Sequence, residues 1–309
     1  MKSHIAVSGG EFTGAIIEDT PGEYCLGSGF RPLIHSAFPN QSIYRDEAIG
    51  LNFEHVLNGA AADFDINRFT PRTDTQFLQY HSDGEATVLH RAQDSTWHIE
   101  SSMRYVLQEP NAVDMTFSVT VKEDRFPLGY VAFMWASYMN RTRERRIHFY
   151  GERDGREGWV SFGDNLTAPE GFETGTVSAV GVPDLPYEEG ADTLNIVENS
   201  HKKFLLPFYY GLVDGDGDLG TTEDTMVYVM MFDQTEPIRF AMWNFIRDAQ
   251  GAPDPHSPAW DWHFVVREPV VNQPYGYRAR MLYKPFVDRD DVRLEYERWR
   301  ASLPARPQG

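Results

Sequence analysis

Strict period-two alternation over residues 97–121 constrains this chain more than any other feature of its sequence. Trp97, Ile99, Ser101, Met103, Tyr105 and Leu107 fall on one side, with His98, Glu100, Ser102 and Arg104 on the other. After Glu109-Pro110-Asn111 the pattern resumes: Met115, Phe117, Val119 and Val121 oppose Asp114, Thr116, Ser118 and Thr120. Side chains of a strand point alternately to its two faces, so this is an antiparallel hairpin with one dry and one wet face.

The pattern extends along the chain. Residues 129–140 (GYVAFMWASYMN) are apolar on both sides and read as a central strand. Residues 146–150 and 158–162 flank a Glu152-Arg153-Asp154-Gly155 turn. Further strands are expected at 203–212, 225–232, 238–246, 259–267 and 275–284, separated by turn-rich segments at 214–220 and 251–258. The stretch 164–197, rich in Gly, Pro and acidic residues, reads as a long irregular loop. Residues 288–303 read as a short C-terminal helix: Val292, Tyr296 and Trp299 make its apolar stripe, and Pro304 stops it. Residues 1–82 are less regular. Apolar runs at 4–7 and 15–18 suggest strands, and 46–57 a short helix. There is no internal repeat and no compositional linker. The expected fold is all-β: a large two-sheet antiparallel β-sandwich, supersandwich-like, forming a single domain over 1–309.

A chain of 309 residues, 41% hydrophobic, builds a sizeable core without staples. Its aromatic content of 14% exceeds what such a core ordinarily needs, so some rings are expected on a binding surface. The formal net charge of −18 opposes nucleic acid and anionic membranes as partners. The lone Cys25 excludes an intrachain disulfide and a cysteine-rich metal site. The N-terminal residues show no apolar signal-peptide core, which makes cytoplasmic the expected location.

The most suggestive chemistry lies in Ala259-Trp260-Asp261-Trp262-His263-Phe264. On a strand, Asp261 and His263 share a face about 7 Å apart, and Trp260, Trp262 and Phe264 share the other. An aspartate beside a histidine is an acid/base pair, the carboxylate orienting the imidazole; the plainer reading is a solvated pair on an edge strand. Tyr138 and His148 are candidates to join them as acid or base. Arg278 and Arg280 are candidates to hold a carboxylate or hydroxyls, although a structural ion pair in so acidic a protein is the stronger reading of both. Glu198, His201 and Lys203 precede Phe208-Tyr209-Tyr210, placing polar groups where the long loop meets a strand. Glu54-His55, with His81 and His90 downstream, is a further polar grouping. Asp214, Asp216 and Asp218 match the opening of a calcium loop, but Leu219 stands where that loop needs glycine and Thr225 where it needs glutamate. The plainer reading is an acidic hairpin loop; a calcium site of another kind is the one metal site the sequence suggests. There is no phosphate-binding glycine loop, dinucleotide fingerprint, nucleophile elbow or helical zinc motif.

Residues 83–286 resemble the large antiparallel sandwiches of the galactose-mutarotase-like superfamily. The resemblance lies in the many alternating strands, the ring-rich faces, and His, Asp, Glu and Arg spread over separate strands. No motif of a characterised family matches, so no catalytic residue is carried over. The resemblance implies a protein that binds or processes carbohydrate. The expected function is a carbohydrate-active enzyme acting on a sugar or oligosaccharide, with epimerase, lyase and hydrolase chemistry all open. His263, Asp261, His148 and Tyr138 would supply acid and base; Trp135, Trp243, Trp260 and Trp262 would stack on sugar faces; Arg278, Arg280, His201 and Tyr210 would bind substrate. The competing readings are a non-catalytic carbohydrate-binding protein and an intracellular structural or interaction protein with all its rings in the core.

Overall fold

The structure is a computed structural model and describes residues 4–18, 27–63, 70–163, 175–191, 199–216, 218–244, 247, 249–252 and 254–304. Cys25 and Glu198 lie outside them, as do half of the 164–197 stretch and the end of the 238–246 run.

Strands β1 (His4–Gly9), β2 (Phe12–Ile17) and β3 (Gly29–His35) form a three-stranded antiparallel sheet. β4 (Asn52–Leu57) occupies the ground where the sequence suggested a helix. All of its side chains are buried, and backbone pairing to a buried neighbour outweighs the local helical preference of Asp46–Ala48. Next come β5 (Gln76–Ser82), β6 (Glu85–His90), β7 (Ile99–Gln108) and β8 (Ala112–Val121), then β9 (Tyr130–Ala136), β10 (Ile147–Arg153) and β11 (Arg156–Phe162). After β12 (Gly175–Ser178) and the two-residue β13 (Lys203–Phe204) follow β14 (Phe208–Asp214), β15 (Thr225–Phe232) and β16 (Ile238–Trp243). β17 (Ala259–Arg267) and β18 (Pro274–Pro285) lead to the only α-helix among the described residues, α1 (Arg289–Ser302).

These strands build a ten-stranded sheet ordered β11-β10-β14-β15-β18-β8-β7-β6-β5, with β13 beside β10, and a five-stranded sheet ordered β12-β16-β17-β9-β4. The alternation of the β7–β8 hairpin fixes their packing. Met103, Tyr105, Met115 and Phe117 turn inward and join the main hydrophobic core with the inner faces of β9 and β17. Phe117 meets Trp135 edge-on at 4.6 Å between ring centroids, and the Trp262 indole donates to the Tyr277 hydroxyl at 2.9 Å. β1–β3 add Val7, Phe12, Ile16, Phe30 and Leu33 to the same core.

Helix α1 covers part of the outer face of the large sheet. Its stripe of Val292, Tyr296 and Trp299 is buried against Phe208, Tyr210, Val227, Val229 and Met231. Asp288 caps its first turn by accepting from the Asp291 N–H at 2.8 Å. No helix among the described residues is long and apolar enough to cross a membrane.

Candidate functional site

The outer face of the five-stranded sheet carries the densest group of buried polar side chains. On β17 the inward residues Trp260, Trp262 and Phe264 are core, which turns Asp261 and His263 to the opposite side. That side pairs strand to strand in register: His55 lies opposite Met134, Met134 opposite His263, and His263 opposite Arg239. The row therefore spans β4, β9, β17 and β16. Ala136, Ala241 and Ala259 stand around Asp261 on the same face, keeping the floor between the polar groups low.

Glu54 reaches this face through a local irregularity. Adjacent residues in a strand point apart, but the register between β4 and β9 shifts between Phe53 and His55. Glu54 and His55 thereby approach, with His55 Nε2 3.9 Å from Glu54 Oε1. That oxygen also accepts from Arg72 at 2.6 Å and from the Tyr138 hydroxyl at 2.8 Å. Asp261 Oδ1 accepts from the Ser137 N–H at 3.3 Å.

Burial sets the protonation states. Asp261 is enclosed, and desolvation followed by the nearby Glu54 charge pushes its carboxyl well above the ordinary aspartate range. Burial raises Glu54 too, and the Arg72 guanidinium and the Tyr138 hydroxyl offset only part of that rise. Of two carboxylates that resist being charged together, Glu54 is the one equipped to hold the charge and Asp261 the one that keeps the proton. Desolvation, then Arg239 and His55, depresses His263 to about 3, so its imidazole is neutral at neutral pH.

Several of these groups are left unsatisfied. Among the described residues, both ring nitrogens of His263, Oε2 of Glu54, and Nε and a terminal nitrogen of Arg239 are buried without a hydrogen-bond partner. Unpaired buried polar atoms are costly and uncommon, and five of them gather on this face.

The expected residues divide over this architecture. Asp261, His263 and Tyr138 share the outer side of this sheet, but the carboxylate does not orient the imidazole, because neither ring nitrogen of His263 has a hydrogen-bond partner among the described residues, and the pair is buried on a central strand rather than solvated on an edge. Trp243 lies on the same face, packed beside Tyr138 and Ala259 in one cluster. His148 does not join them. It sits on the other sheet, where its ring stacks on Tyr210 at 4.9 Å and its Nε2 meets Glu144 Oε1 at 2.6 Å. Tyr210 in turn accepts from Arg289 of α1 at 3.0 Å. Trp135, Trp260 and Trp262 are core rings, fully buried between the sheets, and Trp135 stacks on Trp262 at 5.6 Å. Because period-two alternation sends Asp261 and its tryptophan neighbours to opposite faces, those rings do not line the polar cluster. Arg278 and Arg280 are ion-paired to Asp233 and Asp114 at 2.9 and 2.6 Å. His201 is exposed at the start of the β13 segment.

The aspartate group is rearranged relative to the calcium-loop pattern. Asp214, Asp216 and Asp224 bring carboxylate oxygens within 4.8 Å of one another, whereas Asp218 Oδ1 turns to the Gly220 N–H. Arg143 pairs with Asp224 at 2.5 Å and reaches Asp214 at 3.5 Å, supplying positive charge where a cation would sit.

Arg72 and Arg239 were not legible as site residues. Arg239 had one usable signal: it is the lone charge in the apolar run IRFAMW. Arg72 sits in a turn before β5 with no pattern around it.

No family model matches the chain, and no curated protein matches it. Solved structures do. It is similar to a putative aldose 1-epimerase from Escherichia coli at 9% identity and TM-score 0.46, covering 92% of this chain and 99% of that one. It is similar to a galactose mutarotase-like protein from Lactobacillus casei at 10% identity and TM-score 0.45, covering 91% and 100%. A 4-alpha-glucanotransferase from Thermococcus litoralis aligns at 6% identity and TM-score 0.47, covering 90% of this chain and 37% of that one. The likeness is one of architecture. At such identities no residue role passes from those proteins to this one.

Proposed function

We propose that the protein is a carbohydrate-active enzyme of the isomerase type, working by general acid–base catalysis at the Glu54–Asp261–His55–His263 cluster. The observation that carries this reading is the mixture of unpartnered buried atoms. Glu54 Oε2 can only accept, Arg239 can only donate, and neutral His263 does one at each nitrogen. A ligand rich in hydroxyl groups, each both donor and acceptor, satisfies such a set; an apolar ligand satisfies none of it. Trp243, on the same face, supplies a ring for the C–H side of a sugar.

The protonation states divide the labour. Glu54, ionised beside Arg72, takes the proton from the anomeric hydroxyl. Asp261, protonated, gives its proton to the ring oxygen as the bond between that oxygen and the anomeric carbon breaks. Rotation of the open-chain aldehyde and the reverse transfers close the ring on the other face. Neither water nor a leaving group is consumed, which suits a cluster shielded from solvent. Positioned proton transfer of this kind is worth about 10²–10⁴-fold in rate.

The test is interconversion of aldose anomers, followed by polarimetry or NMR exchange over a panel of sugars. Wild-type protein accelerates it, and Glu54→Gln and Asp261→Asn each lose on the order of 10²-fold or more while melting as sharply as wild type. Sugar binding without acceleration would leave a binding protein; neither binding nor acceleration with any sugar would overturn the proposal.

A further inference from the structure

Beside the polar cluster lies a cavity of ≈ 260 Å³ lined by Glu236, Pro237, Arg239, Val265 and Arg267. Two guanidinium groups converge there. Arg239 on β16 and Arg267 at the end of β17 both donate to one acceptor, the Pro183 carbonyl, at 2.9 and 2.8 Å. One neutral oxygen thus stands between two cations. Arg239 is only 2% exposed, and its remaining Nε and terminal nitrogen have no hydrogen-bond partner among the described residues.

Burial without an ion pair sets Arg239 apart in a chain of net charge −18. Several other arginines find carboxylates: Arg72 with Glu54, Arg104 with Glu85, Arg143 with Asp224, Arg278 with Asp233 and Arg280 with Asp114. Among the described residues neither Arg239 nor Arg267 makes an ion pair. The nearby Asp184 is held by Lys203 at 3.3 Å, and Glu236, exposed in the cavity lining, makes no ion pair among the described residues. A buried guanidinium next to a second cation is costly unless an anion compensates it.

We infer that Arg239 and Arg267 form an anion subsite adjoining the acid–base cluster, and that the sugar taken by this protein carries a phosphate or carboxylate group. The identity of the ligand as a sugar rests on the function proposed above; the anion subsite rests on the two arginines and their cavity. Arg239 connects the two places, because it lines the cavity and also faces His263 across the β16–β17 pair. Planar guanidinium forks suit the paired oxygens of phosphate and carboxylate. Burial and the neighbouring Arg267 already depress Arg239 to about 10, the direction in which a bound anion would act oppositely.

The test is calorimetric titration of the whole chain at low ionic strength with inorganic phosphate and, separately, acetate. Wild-type protein binds phosphate. Arg267→Gln weakens that binding about 10-fold or more, since it removes a charge-assisted hydrogen bond to the anion. Arg267→Lys recovers part of it. Lys122→Gln, which removes one positive charge from the β8 end, leaves it unchanged. Acetate binding that is equally sensitive to Arg267 assigns a sugar acid; sensitivity of phosphate alone assigns a sugar phosphate. Failure of both phosphate and acetate to bind, or equal binding by Arg267→Gln and Lys122→Gln, overturns the subsite. Anion binding without anomer interconversion removes the catalytic reading and leaves the subsite standing; interconversion without binding of either anion does the reverse.

Discussion

Asp261 and Glu54 differ in environment more than in chemistry. Both are buried, but only Glu54 has Arg72 and Tyr138 against its oxygen. If Asp261 is the proton donor, the reaction rate falls as pH rises through its elevated pKa, and a pH–rate profile shows that alkaline limb disappearing in Asp261→Asn. His263 makes a separate prediction about stability. Its pKa drops from 6.5 unfolded to about 3 folded, so between those values the unfolded chain binds the extra proton. Its full contribution is therefore present above pH ~6.5 and lost as pH falls toward 3, with a slope of about 1.4 kcal/mol per pH unit inside that window. Denaturant melts of His263→Asn against wild type at pH 7, 6, 5 and 4 should show a shallower decline in the variant. Equal declines would mean that His263 takes up its proton in the folded state.

Among the elements, α1 was the most legible and β4 the least. Val292, Tyr296 and Trp299 recur at helical spacing, and the helix buries that stripe on the outer face of the large sheet. Trp299→Ala removes its largest ring and should cost about 3–5 kcal/mol in urea melts, whereas Asp288→Ala, which removes only a cap, should cost about 1 kcal/mol. β4 is opaque in sequence because its six residues are buried on both sides and its register slips at Glu54, so no alternation survives to be read. The Asp214–Asp224 loop belongs to this scale as well. Calcium would have to displace Arg143 from Asp214 and Asp224, so added calcium or EDTA should leave the melting temperature unchanged. A calcium-dependent rise, enlarged in Arg143→Gln, would show that the loop takes the ion.

For the molecule as a whole, the decisive feature is that the two large sheets share one aromatic core. Trp135, Trp262, Phe117, Phe264 and Tyr277 meet between them. Tyr277→Phe keeps the ring but leaves the buried Trp262 N–H without its acceptor, and should cost about 1–3 kcal/mol of global stability. An unchanged denaturation midpoint would show that the indole finds another partner. This core answers the question the aromatic content raised: most of the tryptophans expected on a sugar-binding surface hold the sheets together, and Trp243 is the one from that group on the site's face.

Alternation by itself determined that the chain is built of antiparallel strands, where the hairpin at 99–121 turns, and that Asp261 and His263 share a face. Those are consequences of the two-residue period of a strand and need no knowledge of neighbours. Which strands lie side by side is a matter of pairing between residues far apart in sequence, and only the tertiary structure decided it. It set His263 in a row with His55 and Arg239, placed His148 on the other sheet, brought Glu54 round through a bulge, and closed the cluster off from water. Burial and neighbouring charge, which fix which carboxylate holds a proton and which arginines lack a counter-ion, exist only once the sheets have packed.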